Sequence, residues 1–199
     1  MKKILLILIV SSSLMFLGCA FGSIFNISDN DVTDKSNIVL NSSFEEGDID
    51  MEHFPFNWHV LEEQYDMIRL DNTNFRSGNS SILIQNPDQK IALVSESFTI
   101  DPTSVYYSRC FVKSDSQTKK PLTLYLFAFN DNGDRVNSYS KEFYPGDDCW
   151  SKIDFVTGFF QSSATTGRIV INIPDDSEQN FWIDDAESYQ LHRFAFSQE

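Results

Sequence analysis

Cations are scarce in this chain. Fifteen Lys and Arg stand against 29 Asp and Glu, a formal net charge of −14 at pH 7. A surface of that sign repels phosphate backbones and anionic headgroups, which argues against nucleic acid as a partner and against electrostatic adhesion to membranes. Cysteine is scarcer still. Cys19, Cys110 and Cys149 are too few for a disulfide framework, and no metal-ligand spacing involves them. The three histidines, His53, His59 and His192, form no H-E-x-x-H pair, and the chain has neither a G-x-S-x-G elbow nor a phosphate-binding loop. A glycosidase needs two carboxylates, one of them a proton donor in an apolar pocket. The acidic run EEGDIDME (45–52) is local and loop-like, with nothing beside it to build that pocket. No long helical period and no internal repeat is present. These absences disfavour an enzyme.

The N-terminus reads MKKILLILIVSSSLMFLGC. Lys2 and Lys3 precede the apolar run Ile4–Val10, and small residues follow, the order of an export signal over 1–18. Its end, Phe16-Leu17-Gly18-Cys19, resembles the bacterial lipoprotein lipobox, with Phe16 where that family usually has Leu. The resemblance implies cleavage before Cys19, acylation of Cys19 and attachment to the membrane through the lipid anchor alone. Ala20, rather than Asp, favours an outer-membrane or cell-surface address in the bacterial envelope. In that oxidising compartment Cys110 and Cys149 either pair or sit apart as two buried thiols. Residues 19–36 read as the lipidated Cys and a flexible tether, 37–190 as one domain and 191–199 as a C-terminal tail.

From about residue 37 the chain turns to short alternating runs. The strand candidates are 38–40, 57–61, 66–71, 80–86, 90–96, 105–113, 121–129, 136–143, 151–160, 167–173 and 180–191, separated by turn chemistry such as NPDQ, NDNGD and YPGDD. Many short strands at this spacing predict an all-β fold, a two-sheet antiparallel β-sandwich. Alternation assigns faces. Ile169, Ile171 and Ile173 share a core face, as do Leu122, Leu124, Leu126 and Ala128, while Tyr125, Phe127 and Phe129 point the other way. In VYYSRCFVK the set Tyr107, Arg109, Phe111 and Lys113 opposes Tyr106, Ser108, Cys110 and Val112.

NSSFEEG (41–47) places a core anchor, Phe44, beside two carboxylates. Asp184 and Asp185 lie near the other end of the domain, and RSGNSS (76–81) is a glycine turn whose carbonyls could complete an oxygen shell for Ca²⁺. The order N-x-x-F-E-x-G, P-x-x-W, R-S-G-x-x-S leading into I-L-I, a Tyr-Ser strand ending in V-K, W-x-K-I-x-F and finally W-I-D-D resembles the CenC-type carbohydrate-binding modules, which belong to the galactose-binding-like jelly rolls. It covers about 37–190. The resemblance implies a jelly roll, a structural Ca²⁺ held by Glu45, the turn at Ser77 and Gly78, and Asp184, and carbohydrate as the ligand. A sugar site needs flat aromatic faces and planar polar groups. Tyr107, Arg109, Phe111, Tyr125 and Phe127 are the expected set, with Trp58 as a further platform. The reading is a non-catalytic, lipid-anchored surface module for glycan or polysaccharide. The alternative is a structural or adhesive protein-interaction lipoprotein with the same fold and no sugar ligand.

Overall fold

The computed structural model describes residues 27–47, 54–61, 65–146, 148–176 and 178–193. The export signal, Cys19, the start of the tether, His53, most of the acidic run and residues 194–199 of the tail lie outside them. The chain divides into two compact units, residues 1–34 and 35–199. Among the described residues of the first, a 3-10 turn spans Asp29–Val32, and Ser28 donates from its N–H (2.8 Å) and hydroxyl (2.9 Å) to the Asp31 carboxylate.

Among its described residues the second unit contains eleven strands: β1 (Trp58–Val60), β2 (Ile68–Asp71), β3 (Ser81–Gln85), β4 (Ile91–Ser95), β5 (Phe98–Thr99), β6 (Ser104–Ser114), β7 (Leu122–Phe129), β8 (Arg135–Phe143), β9 (Ser151–Val156), β10 (Thr166–Ile173) and β11 (Asn180–Arg193). They form two antiparallel sheets. One runs β2-β3-β11-β6-β9; the other runs β1-β4-β10-β7-β8, with β5 also paired to β10. The predicted sandwich is therefore present, and ten of the eleven predicted runs form strands at nearly their expected positions. The exception is 38–40. Only Asn37 bridges there, to Tyr189, because Asn37 turns its carboxamide onto the backbone N–H groups of Val39 and Ser188 instead of extending a ladder.

The inner faces close on one another, and Leu122, Leu124, Leu126, Ile169 and Ile171 take the core positions that alternation nominated. Ile82, Ile84, Phe181 and Ile183 come from one sheet, and Leu93, Leu122, Leu124, Leu126, Ile169 and Ile171 from the other, all fully buried. Phe44 is fully buried against Trp58 at 5.1 Å between ring centroids. Its φ of +57° is left-handed. That conformation costs a non-glycine residue about 1–2 kcal/mol, which burial of the ring, worth about 1.5–3 kcal/mol, offsets. Cys110 points into this core while Cys149 is exposed, so the two thiols are free and do not bridge. Burial pushes the Cys110 thiol far above its ordinary value.

Candidate functional site

Strand β7 hydrogen-bonds to β8 and β10, whereas β6 hydrogen-bonds to β9 and β11. The segment between them, 115–121, therefore carries the chain from one sheet to the other. Both strands bury their aliphatic face, so their aromatic faces point outward on opposite sides of the sandwich. The expected single surface of Tyr107, Arg109, Phe111, Tyr125 and Phe127 does not exist. It divides into two.

On the five-stranded sheet, Tyr107, Arg109 and Phe111 are locked by their neighbours. Tyr107 is 1% exposed and donates its hydroxyl to Asp154 at 2.7 Å, with Lys152 alongside at 3.3 Å. Arg109 pairs with Glu187 at 2.5 Å and reaches the Tyr189 hydroxyl at 3.3 Å. The Arg76 guanidinium lies over the Phe111 ring, 3.4 Å from its centroid, and pairs with Asp185. These groups are satisfied by one another, and in this arrangement they offer a ligand neither open ring faces nor open donors. Trp58 is also corrected. It is 5% exposed, packs in the core and donates its indole N–H to the Asn41 carbonyl at 3.1 Å, so it is no platform.

The outer face of the six-stranded sheet is different. Cα partners align His59, Val94, Val170, Tyr125 and Ser140 in one row across five strands. The next row holds Arg168, Phe127 and Ser138, and beyond it lie Thr166, Phe129 and Arg135. Tyr125 and Phe127 are half-buried rings 4.9 Å apart, and the Arg135 guanidinium sits 4.6 Å from the Phe127 centroid. Val94 and Val170 form a buried apolar floor. A groove of about 660 Å³ opens above them, walled by Phe127, Phe129, Arg135 and Arg168 and bordered by exposed Leu61. Arg168 donates from Nη1 to His59 Nε2 at 2.9 Å, which fixes the imidazole as an acceptor there. Burial and then the Arg168 charge hold the His59 pKa below its ordinary 6.5, keeping the ring neutral. Groove, stacked rings and forked guanidinium groups are what recognition of a hydroxyl-rich, planar-faced ligand requires.

Arg135, Arg168, His59 and Phe129 were not among the expected ligand residues. Arg168 did carry a signal. It is the one cation in the strand GRIVINI, on the face opposite Ile169, Ile171 and Ile173.

The four residues expected at a cation do converge. A register shift between Asp184 and Glu187 forms a bulge in β11, with Asp185 at φ +47°, and it aims both aspartates at the turn after Asn74. Asp184 accepts from the N–H groups of Arg76 (2.8 Å), Ser77 (3.1 Å) and Asp185 (2.7 Å). Glu45 reaches the same turn from the other side and accepts from the N–H groups of Asn79 (3.0 Å) and Ser80 (3.2 Å). Gly78, at φ +62°, is required there because a Cβ would fall on the Glu45 carboxylate. Burial, then the charge of Asp185, pushes the fully buried Asp184 carboxyl up to about 7. Among the described residues no group of three His, Cys, Asp or Glu side chains gathers anywhere.

Neither a family model nor a curated protein matches the sequence. Solved structures do match the fold. The enzymatically active domain of bacteriophage CBA120 tailspike protein 4 superposes with a TM-score of 0.59 at 14% identity, over 78% of this chain and 21% of that one, so this chain spans about a fifth of its length. TmCBM61, solved with β-1,4-galactotriose, gives 0.52 at 14% identity over 78% of this chain and 99% of its own. The CBM22-1 xylan-binding domain from Paenibacillus barcinonensis gives 0.51 at 14% identity over 75% and 91%. With its two antiparallel sheets and whole-domain match to such modules, this chain has the jelly-roll fold of the carbohydrate-binding modules.

Proposed function

We propose that this protein is a non-catalytic module that binds glycan chains along the outer face of its six-stranded sheet, anchored to the bacterial envelope through lipid on Cys19. The observation that carries the reading is the groove itself, where Phe127 stands beside Arg135 and Arg168 over an apolar floor, with Tyr125 packed on Phe127 and His59 bonded to Arg168. Sugar C–H faces stack on rings, and vicinal hydroxyls match forked guanidinium donors. The groove is open, so a long polymer can cross it. Open faces retain much water, and affinity in the micromolar to millimolar range follows. The whole-domain likeness to TmCBM61 and the xylan-binding domain supports the same ligand class.

The proposal includes a structural Ca²⁺ at the turn between Glu45 and Asp184. Asp184 is a fully buried carboxylate, and burial, then the Asp185 charge, raises its pKa to about 7, a penalty on its charge that a cation would relieve. Carboxylates suit a hard, oxygen-preferring ion, which would take the place of the turn N–H groups that Asp184 and Glu45 accept from.

The test is a glycan and polysaccharide array probed with the full chain carrying Cys19→Ser, which removes the lipid. Selective binding to one glycan class is expected, reduced at least tenfold by Tyr125→Ala or Phe127→Ala. Arg109→Ala is expected to leave it unchanged. Binding at the parent's full strength in both ring variants, or loss in Arg109→Ala with the fold intact, would place the site elsewhere.

A further inference from the structure

We propose that the outer face of the five-stranded sheet carries a second, independent glycan site, centred on Trp182, so that one module holds two polysaccharide chains on opposite sides. The proposal rests on the glycan reading of the first face for its ligand class, and on a separate set of residues for its location.

The polar layer that closes over Tyr107, Arg109 and Phe111 stops at Trp182. Cα partners place Arg69, Leu83, Trp182 and Lys113 in one row across β2, β3, β11 and β6. Leu83 is 4% exposed and forms an apolar base, and Trp182 is half-buried beside it. A depression of about 930 Å³ opens at this end of the sheet. Asn74, Asn79 and Gln85 line it together with the indole, the Asn74 and Asn79 amides making long bonds of 3.4 Å to Asp71 and Glu45, and exposed Arg69 stands at the rim. Side-chain amides offer both donors and acceptors, the pairing that sugar hydroxyls take.

The indole is held in place. Its Nε1–H donates to Asp71 at 2.7 Å, and Asp71 is itself fixed by the Thr73 N–H (2.8 Å) and hydroxyl (2.5 Å). Lys113, paired with Asp148 at 2.7 Å, lies 5.4 Å from the ring. A ring fixed before the ligand arrives loses little freedom on binding. Trp182 lies two residues before Asp184, and the depression also borders Glu45, Asn79 and Ser80 at the turn, but the indole itself donates to Asp71. The chemistry here shares with the other face an aromatic platform, an aliphatic base and a guanidinium, and adds planar amides. The two faces belong to different sheets, so neither can block the other.

The test compares four full-length Cys19→Ser proteins on one polysaccharide array that includes β-1,4-galactan and xylan: the parent, Tyr125→Ala/Phe127→Ala, Trp182→Ala, and the triple variant. The double variant is expected to bind at least tenfold more weakly than the parent yet still measurably, and the triple variant to lose that remainder by a further tenfold or more. Arg69→Ala, an exposed change, replaces Trp182→Ala if the latter lowers thermal stability. Binding unaltered by both Trp182→Ala and Arg69→Ala in either background overturns the second site. Complete loss in the double variant does the same. Full binding in the double variant with loss in Trp182→Ala would leave the second site standing and remove the first. A parent that binds nothing on the array would overturn both.

Discussion

Gly167 and Arg168 are consecutive on β10 and face opposite ways, which makes them a sensitive check on the geometry. An alanine at 167 would place its Cβ 2.7 Å from Phe98 Cε2, 2.8 Å from Ile100 Cδ1 and 2.9 Å from Ile100 Cγ1. All three are closer than carbon atoms tolerate, and Ile100 is 3% exposed with little room to retreat. Overpacking of this kind costs about 1–3 kcal/mol. The stiffer unfolded chain returns about 0.4–1 kcal/mol, leaving a net loss of about 1–2 kcal/mol. For a domain of this size that lowers Tm by about 2–8 °C. Arg168→Ala touches nothing in the core. It removes the hydrogen bond to His59, worth about 1 kcal/mol or less at a half-buried site, so Tm should move by no more than about 2–4 °C. Glycan affinity should fall at least tenfold, equivalent to about 1.4 kcal/mol. Thermal melts by circular dichroism and binding to the array hit measured for both variants decide the matter. If Arg168→Ala destabilises more than Gly167→Ala, or binds glycan normally, the assignment of that face to the ligand is wrong.

Gly78→Ala should destabilise the domain by about 2 kcal/mol or more in urea titration, from the left-handed φ and the displaced Glu45 carboxylate. In a Glu45→Ala background the same change should cost only the backbone part, about 1–2 kcal/mol, and equal costs in both backgrounds would deny the contact. Chelation should lower the Tm of the parent and not that of Asp184→Ala; identical melts of the parent with and without chelator would end the calcium proposal. His59 is expected to titrate below 6.5 by NMR. Because its folded-state value is depressed, its neutral form contributes stability that is present above the unfolded value and lost as pH falls through the folded one. Glycan affinity should fall in that same acid window as imidazolium repels Arg168, and His59→Gln should flatten the profile. Under native conditions an alkylating reagent should modify Cys149 and spare Cys110 until the chain unfolds, as mass mapping of labelled peptides can report.

Period-two alternation needs no tertiary information, because every core-facing residue of β7 and β10 is named by its neighbours two positions away. Leu122, Leu124, Leu126, Ile169, Ile171 and Ile173 are buried as that pattern requires. Glu45, Gly78 and Asp184 were named through the family resemblance, and the structure brings them to one turn. The strand expected at 38–40 failed for a local reason, the Asn37 carboxamide, whose preference for backbone N–H groups a propensity reading overlooks.

The sequence by itself determined the sandwich, most of its strands and the inside and outside of each, and its family resemblance named Glu45 and Asp184, which grip the 76–80 turn. It could not determine which outside. Alternation distinguishes core from solvent, but the solvent faces of two sheets look alike along the chain. Only long-range hydrogen bonding assigned β6 to β9 and β11, and β7 to β8 and β10. That pairing separated Tyr107, Arg109 and Phe111 from Tyr125 and Phe127, let neighbouring carboxylates seal the first group, and set Arg135, Arg168 and His59 beside the second.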